Sequence, residues 1–207
     1  MKPSLVDINS KIHGRDAGVL GNERFFKFAV LLPLIEKNDE LHVLFEVRAH
    51  TLRRQPGEVC FPGGKVDRQD NSPMDAAIRE TCEELGVLEN EVSITGELDF
   101  LVTSFQSIVY PFVGNIKAGT ELSSNPDEVE EVFTVPLSHF IHHPPERHDI
   151  RVHVKPDESF PFHLIPNGEE YNWSSSAMPE FFYYYKDYVI WGMTARILYH
   201  FIHLIQE

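Results

Sequence analysis

Residues 63–87 read GGKVDRQDNSPMDAAIRETCEELGV, and this stretch decides the fold and the chemistry. Ser72 suits the residue that caps a helix N-terminus, and Pro73 suits the first helical position. Gly86 suits the position after a helix, where φ is positive. Because the residues between them favour helix, the stretch predicts a helix that ends at Leu85 and follows a glycine turn.

Three glutamates of this helix, Glu80, Glu83 and Glu84, lie at positions i, i+3 and i+4. This spacing predicts that their carboxylates occupy neighbouring places on one helix face, with roughly 5–6 Å between Cβ atoms. A hard divalent cation with oxygen ligands relieves the repulsion between such charges, although a solvated acidic face is the alternative for the glutamates alone. Residues 63–64 lack Cβ atoms and let the backbone approach a metal or phosphate, and Arg79 can orient a carboxylate. The combination favours a metal site.

The composition narrows the classes of function. The chain has 207 residues, of which 42% are hydrophobic, so one domain with a buried core is expected. Eighteen basic residues against 32 acidic ones give a net charge of −14, which argues against nucleic-acid and membrane partners. With two cysteines, no signal sequence and no apolar stretch of about 20 residues, a cytoplasmic protein without disulfides is expected.

The pattern along the chain indicates a mixed α/β domain with helices on both faces of a sheet. We expect a single domain over residues 1–207. Its parts are listed in chain order: an N-terminal extension (1–24), strands (28–34 and 41–48), a short apolar run (59–61), the glutamate helix, strands (92–100, 108–116 and 129–135), a short helix (136–141), an irregular insertion (142–187) and a C-terminal helix (188–206).

Residues 64–87, which end in RETCEELGV, closely resemble the signature box of Nudix hydrolases. The resemblance implies an α/β/α sandwich with a mixed sheet, and hydrolysis of a nucleoside diphosphate linked to another moiety with Mg²⁺ or Mn²⁺. By position it implies these metal ligands: Glu80, Glu83, Glu84 and the carbonyl of Gly64. Arg79 would hold the acids in place. Whether Glu83 is also the general base or only binds metal is left open.

The box departs from the family pattern in ways that indicate a subgroup. Asp70 stands where the pattern has Glu, the spacing to Arg79 is one residue longer, and Thr81 replaces an aliphatic residue. Upstream, residues 48–64 are spaced as in the coenzyme A pyrophosphatases of the family, and residues 125–137 and 190–195 resemble later motifs of that subgroup. The resemblance implies coenzyme A or a derivative as substrate, with 3′,5′-ADP and 4′-phosphopantetheine as products.

Further site residues are suggested with an alternative for each. Basic residues are concentrated in 48–79, and these are candidates for binding substrate phosphates: Arg48, Arg53, Arg54 and Lys65. The alternative is that Arg53 and Arg54 are exposed loop charges. Glu128 and Glu131 are candidates for an extra carboxylate or are surface acids.

Other activities remain open at this point. One is a Nudix pyrophosphatase acting on ADP-ribose or a dinucleotide, and another is a non-catalytic nucleotide sensor on the same fold. The expected partner is a small nucleotide substrate. The C-terminal helix can bury one face in the domain and another in a partner, so a homodimer is also left open.

Overall fold

The fold is a mixed β-sheet with α-helices on both of its faces. The computed structural model describes residues 3–207. Its α-helices are α1 (Leu5–Ile12), α2 (Pro73–Leu85), α3 (Leu137–His142) and α4 (Gly192–Leu204). Its strands are β1 (Phe26–Lys37), β2 (Glu40–Arg48), β3 (Val59–Cys60), β4 (Gly63–Lys65), β5 (Val92–Glu97), β6 (Leu101–Thr103), β7 (Ser107–Ile116), β8 (Val129–Pro136), β9 (Glu146–His153), β10 (Ser175–Tyr185) and β11 (Tyr188–Ile190).

The main sheet has the order β3-β2-β1-β7-β5. Three more strands join it outside this order, since β4 pairs with β1, β6 with β7 and β8 with β2. The β1–β7 pair is parallel, whereas the other pairs are antiparallel. The sheet is therefore mixed, as the sequence predicted.

Alternate residues of the central strands supply two separate cores. Leu31 and Leu44 face α2 and pack with Ala76, Ala77 and Leu85. The residues between them in sequence, such as Leu32 and Phe45, pack on the opposite face in a second cluster with α3 and α4. Because side chains alternate along a strand, a strand buried on both faces is apolar at every position. This explains the continuous apolar runs of β1 and β2 and gives the α/β/α sandwich.

Helix α2 has the predicted start and end. The Ser72 hydroxyl accepts a hydrogen bond from the Asp75 N–H at 3.1 Å, and Pro73 opens the first turn. Gly86 ends the helix with φ of 68°. Thr81 is fully buried, and its hydroxyl donates to the carbonyl of Ala77 at 2.7 Å, so the polar replacement in the box is hydrogen-bonded.

Residues 142–187 are not the irregular insertion that the sequence suggested. They contain β9 and most of a second sheet, in which β10 pairs with β9 and β11. Most of β9 is exposed and carries charged residues, and its pairing with β10 joins segments that are far apart in the sequence. The C-terminal helix likewise begins at Gly192 rather than 188, because 188–190 form β11.

Two further expectations concern the whole chain. Cys60 and Cys82 are both free thiols. Among the helices of residues 3–207, none combines the length and hydropathy that a membrane span requires. The first residues of the expected N-terminal extension, 1–2, lie outside the described part, and the remainder includes α1.

Candidate active site

Two adjacent glycines bring the sheet close to helix α2. Strand β4 pairs with β1, with Gly63 opposite Val30 and Gly64 opposite Ala29. Gly63 has φ of 151°, and a Cβ there would overlap the Ala29 carbonyl and lie 2.6 Å from the Val30 Cα. A Cβ on Gly64 would instead overlap the carboxylate of Glu80. The glycine pair therefore allows a carboxylate of α2 to lie directly against the backbone of β4.

Glu84 is held from inside the fold. Its side chain is buried, and Oε2 accepts a hydrogen bond from the Gly63 N–H at 2.7 Å. Burial raises the pKa of Glu84, and the neighbouring charges of Glu46 and Glu80 raise it further. A positive charge beside these carboxylates would offset both effects, because it favours the ionised form.

Glu46 is a site residue that the sequence analysis missed. It lies on β2, is 1% exposed, and its Oε1 accepts a hydrogen bond from the Cys60 thiol at 3.2 Å. Oε2 is buried and has no partner among residues 3–207. Burial raises the pKa of Glu46. A signal was available, since Glu46 interrupts the apolar run of β2, and a buried charge without a pair is costly.

Arg79 holds the acidic residues around α2 in a fixed arrangement. Its Nε and Nη2 atoms bind the two oxygens of Asp70 at 3.0 and 3.1 Å. Its Nη1 lies 2.9 Å from Glu80 Oε1 and 3.2 Å from Glu83 Oε2, and Nη2 also donates to the Lys65 carbonyl at 3.3 Å. The hydrogen bonds from Arg79 lower the pKa of Asp70. Asp70, the departure from the family box, is therefore the bidentate partner of this arginine.

The three helix glutamates do not meet at one point. Glu80 and Glu84 lie at the glycine turn, whereas the Glu83 side chain is 55% exposed. Glu83 lines a surface cavity of about 580 Å³ together with Asp70, Arg79 and Cys82, and neither Glu80 nor Glu84 reaches this cavity. The helix thus presents two carboxylates inward, and Arg79 links the third to them.

The groups at the glycine turn suit a hard divalent cation. Their donors are carboxylate and carbonyl oxygens, which are the ligands that Mg²⁺ prefers. Within residues 3–207, no three His, Cys, Asp or Glu side chains are already grouped closely enough to hold a metal, since Arg79 and the Gly63 N–H bind oxygens of Glu80 and Glu84. The free Oε2 of Glu46 and the contact of Glu80 with Gly64 nevertheless fit a cation-binding role.

A loop before β8 brings another acid to the site. The Asn125 N–H donates to the Glu84 carbonyl, and the Ala49 N–H donates to the Glu128 carbonyl, both at 2.9 Å. The charge of Glu128 contributes to the raised pKa values of Glu80 and Glu84. The structure therefore places the charge of Glu128 near Glu80 and Glu84.

Arg48 is the last residue of β2, two residues after Glu46. Its Nε is buried and has no partner in the part of the chain that is described. Its charge opposes the rise in the pKa of Glu46. A guanidinium with an unused donor beside a carboxylate cluster is suited to a phosphate oxygen.

The side chains of the remaining candidates are exposed. Arg53 and Arg54 are exposed in the loop between β2 and β3, and the Lys65 ammonium lies 5.9 Å from the centre of the Phe26 ring. Glu131 pairs with Val47 on β2, and its carboxylate accepts a hydrogen bond from the Tyr188 hydroxyl at 2.6 Å. Glu131 therefore lies on the face of β8 that is turned away from α2, because side chains alternate along a strand.

Comparisons with known proteins agree with this geometry. The model of the NUDIX domain matches residues 26–156. The chain is 42% identical over 116 residues to the mouse peroxisomal coenzyme A diphosphatase NUDT7, covering 56% of this chain and 49% of that protein. It is 37% identical over 140 residues to the peroxisomal coenzyme A diphosphatase ndx-8 of Caenorhabditis elegans, covering 66% of this chain and 56% of that one. The chain thus spans about half the length of these two relatives.

Two further matches cover more of the chain. It is 33% identical over 181 residues to the uncharacterized Nudix hydrolase NudL of Photorhabdus laumondii, which covers 86% of this chain and 84% of that protein. The crystal structure of a MutT/nudix family protein from Enterococcus faecalis superposes with a TM-score of 0.52 at 16% identity, covering 99% of this chain and 71% of that one. The structural match supports the fold.

Proposed function

Because the chain belongs to the Nudix family and resembles its coenzyme A pyrophosphatase subgroup, we propose that it hydrolyses the diphosphate linkage of coenzyme A or a derivative. The products are 3′,5′-ADP and 4′-phosphopantetheine, and the reaction depends on Mg²⁺ or Mn²⁺. Residues 1–207 act as one domain, with the site at the junction of α2, β2 and β4.

One observation carries the proposal. Helix α2 presents Glu80 against Gly64 and Glu84 against the Gly63 N–H, so two carboxylates lie at the same glycine turn. A solvated acidic face, the alternative considered for the sequence, does not account for a buried Glu84. The energetic cost of burying that charge is offset when a cation binds beside it.

The residues of the chain have distinct tasks in the proposed reaction. Glu80, Glu84 and the Gly64 carbonyl hold the cation, and Arg79 fixes the orientation of Glu80 and Glu83. A bound divalent cation neutralises the diphosphate and acidifies water. Arg48, at the end of β2, binds the 3′-phosphate of the substrate through its guanidinium group.

The general base is assigned to a carboxylate at the edge of the site. Glu128 is tied to the site by two backbone hydrogen bonds of its loop and has an exposed side chain, so it can accept a proton from water and release it to solvent. Glu83 is the second candidate, but it is engaged by Arg79. We therefore prefer Glu128.

The choice of coenzyme A rests on two relatives whose names state that activity, and on Arg48. Both are coenzyme A diphosphatases and are 42% and 37% identical to this chain. The match to the uncharacterized relative gives no information about the substrate. Coenzyme A carries a 3′-phosphate that ADP-ribose lacks, so an added guanidinium contact would favour it.

A substrate panel with product identification tests this proposal. Purified protein is incubated with coenzyme A, ADP-ribose and a dinucleotide, with Mg²⁺ or Mn²⁺, and the products are separated by chromatography. We expect 3′,5′-ADP from coenzyme A as the main product, and no turnover by Glu84→Gln, although that variant folds. Faster cleavage of ADP-ribose than of coenzyme A would overturn the substrate assignment. Wild-type rates in Glu84→Gln would show that helix α2 takes no part in the reaction.

A further inference from the structure

Glu46 lies on the face of the sheet that packs against α2. Leu44, two residues earlier on β2, belongs to the core cluster of Ala76, Ala77 and Leu85. Since side chains at i and i+2 of a strand point to the same face, Glu46 points toward α2 as well. Phe45 and Val47 point to the opposite core.

The neighbouring strands place Glu46 close to the proposed cation site. Glu46 on β2 is paired with Cys60 on β3. Gly63, three residues after Cys60, donates its N–H to Glu84. The Cys60 thiol donates a hydrogen bond to Oε1 of Glu46. Glu46 is thus separated from Glu84 by one short segment of chain that both side chains contact.

The second carboxylate oxygen of Glu46, Oε2, is buried without a hydrogen bond in the described part of the chain. The side chain is 1% exposed, and Oε2 has no hydrogen-bond partner among residues 3–207. An acceptor that is buried and unpaired destabilises the fold, and more so when it is charged. Glutamine would have the same shape at a lower cost, so the shape of the residue does not explain the carboxylate.

We propose that Glu46 is a further ligand of the divalent-cation site, with Oε2 as the ligating atom. This inference rests on the proposed function, in which Glu80 and Glu84 bind the cation from α2. Glu46 binds it from the sheet, so the cation lies between two structural layers. The cation then connects β2 to α2 and fixes the position of the glycine turn relative to Arg48.

Manganese binding by Glu46→Gln tests the proposal without relying on turnover. Free Mn²⁺ is titrated against the metal-free protein and measured by electron paramagnetic resonance, and thermal unfolding is followed with and without Mn²⁺. We expect the affinity for Mn²⁺ to fall roughly tenfold or more. The metal-free variant should be at least as stable as the wild type, because a buried unpaired charge is removed, while its stabilisation by Mn²⁺ should shrink.

Two control variants separate metal ligation by Glu46 from the effects of its hydrogen bond with Cys60 and of its charge. Cys60→Ala removes the partner of Oε1 and leaves Oε2, so Mn²⁺ affinity should stay close to that of the wild type. Glu130→Gln removes one exposed charge from β8, which controls for the change in net charge. Unchanged Mn²⁺ affinity in Glu46→Gln, with a folded protein, would overturn the inference. So would an equal loss of affinity in Glu130→Gln.

The same titration distinguishes this inference from the proposed function. If the wild type binds Mn²⁺ and Glu84→Gln does not, the proposed cation site stands, and the Glu46 result decides the inference alone. If the wild type itself does not bind Mn²⁺, the proposed function fails, and the role of Glu46 fails with it.

Discussion

Alanine at Gly64 should strongly reduce activity while leaving the fold intact, whereas alanine at Gly63 should destabilise the fold. The two glycines are adjacent, but an added Cβ meets different atoms. At Gly64 the nearest atoms all belong to the Glu80 carboxylate, with Oε2 at 2.6 Å. At Gly63 they belong to the paired strand β1: the Ala29 carbonyl and the Val30 Cα and Cγ1.

The magnitudes follow from what can move. Contacts between carbon atoms are ordinary at about 3.5–4 Å, so in Gly64→Ala the Glu80 carboxylate must retreat by about 1 Å. Moving the end of a side chain costs about 1 kcal/mol, which the reduced freedom of the unfolded chain partly offsets. A displacement of about 1 Å in a catalytic group lowers activity by roughly 100-fold.

In Gly63→Ala the overlap cannot be removed in this way, because the two nearest atoms belong to the backbone of a paired strand. A positive φ costs about 1–3 kcal/mol for a residue with a Cβ, and the overlap adds about 1–3 kcal/mol. The melting temperature should therefore fall by roughly 10 °C.

The assay compares both variants with the wild type by urea denaturation, Mn²⁺ affinity and coenzyme A hydrolysis. We expect Gly64→Ala to keep its denaturation midpoint and lose Mn²⁺ affinity and activity. If Gly64→Ala bound Mn²⁺ and turned over substrate as the wild type does, the contact between Gly64 and Glu80 would not be part of the site. A stable Gly63→Ala would refute the reasoning about the strand.

Three other predictions concern groups around the site. Asp70→Asn should weaken the bidentate pair with Arg79 and cost about 1–3 kcal/mol in urea denaturation, and no loss would mean that Glu80 and Glu83 suffice to hold the arginine. Because burial raises the pKa values of Glu46 and Glu84 in the folded state, that state binds protons more tightly than the unfolded one. Stability of the metal-free protein should thus fall between about pH 5 and about pH 9, and less so with Mn²⁺; a midpoint that rises with pH would contradict this. Thr81→Val should change stability by less than about 1.5 kcal/mol, because hydroxyl and hydrogen bond disappear together, and a larger loss would show that the bond to Ala77 matters.

The parts of the structure that depend on local signals could be predicted from the sequence. The start and end of α2 follow from Ser72, Pro73 and Gly86, which act through their own backbone and side-chain chemistry. The strands β1, β2, β7 and β8 follow from apolar runs. The position of Arg79 beside its acids also follows, since helical spacing alone brings it near Glu83.

What could not be predicted depends on long-range pairing. Strands β9 and β10 lie outside the main sheet, and they pair with each other across a connection of more than 20 residues. The importance of Glu46 depends on β2 lying beside β3, so that Cys60 and the glycine turn come close to it. Glu128 and Glu131 are three residues apart, and only the register of β8 against β2 separates the one near the site from the one bound to Tyr188.

The most direct test of the account is a crystal of the protein soaked in Mn²⁺ and measured at a wavelength where manganese scatters anomalously. We predict an anomalous peak between the carboxylates of Glu80 and Glu84 and the carbonyl of Gly64, with Glu46 Oε2 on its sheet side. An ordered α2 with these side chains as they are here, and no anomalous density at the glycine turn, would contradict the account.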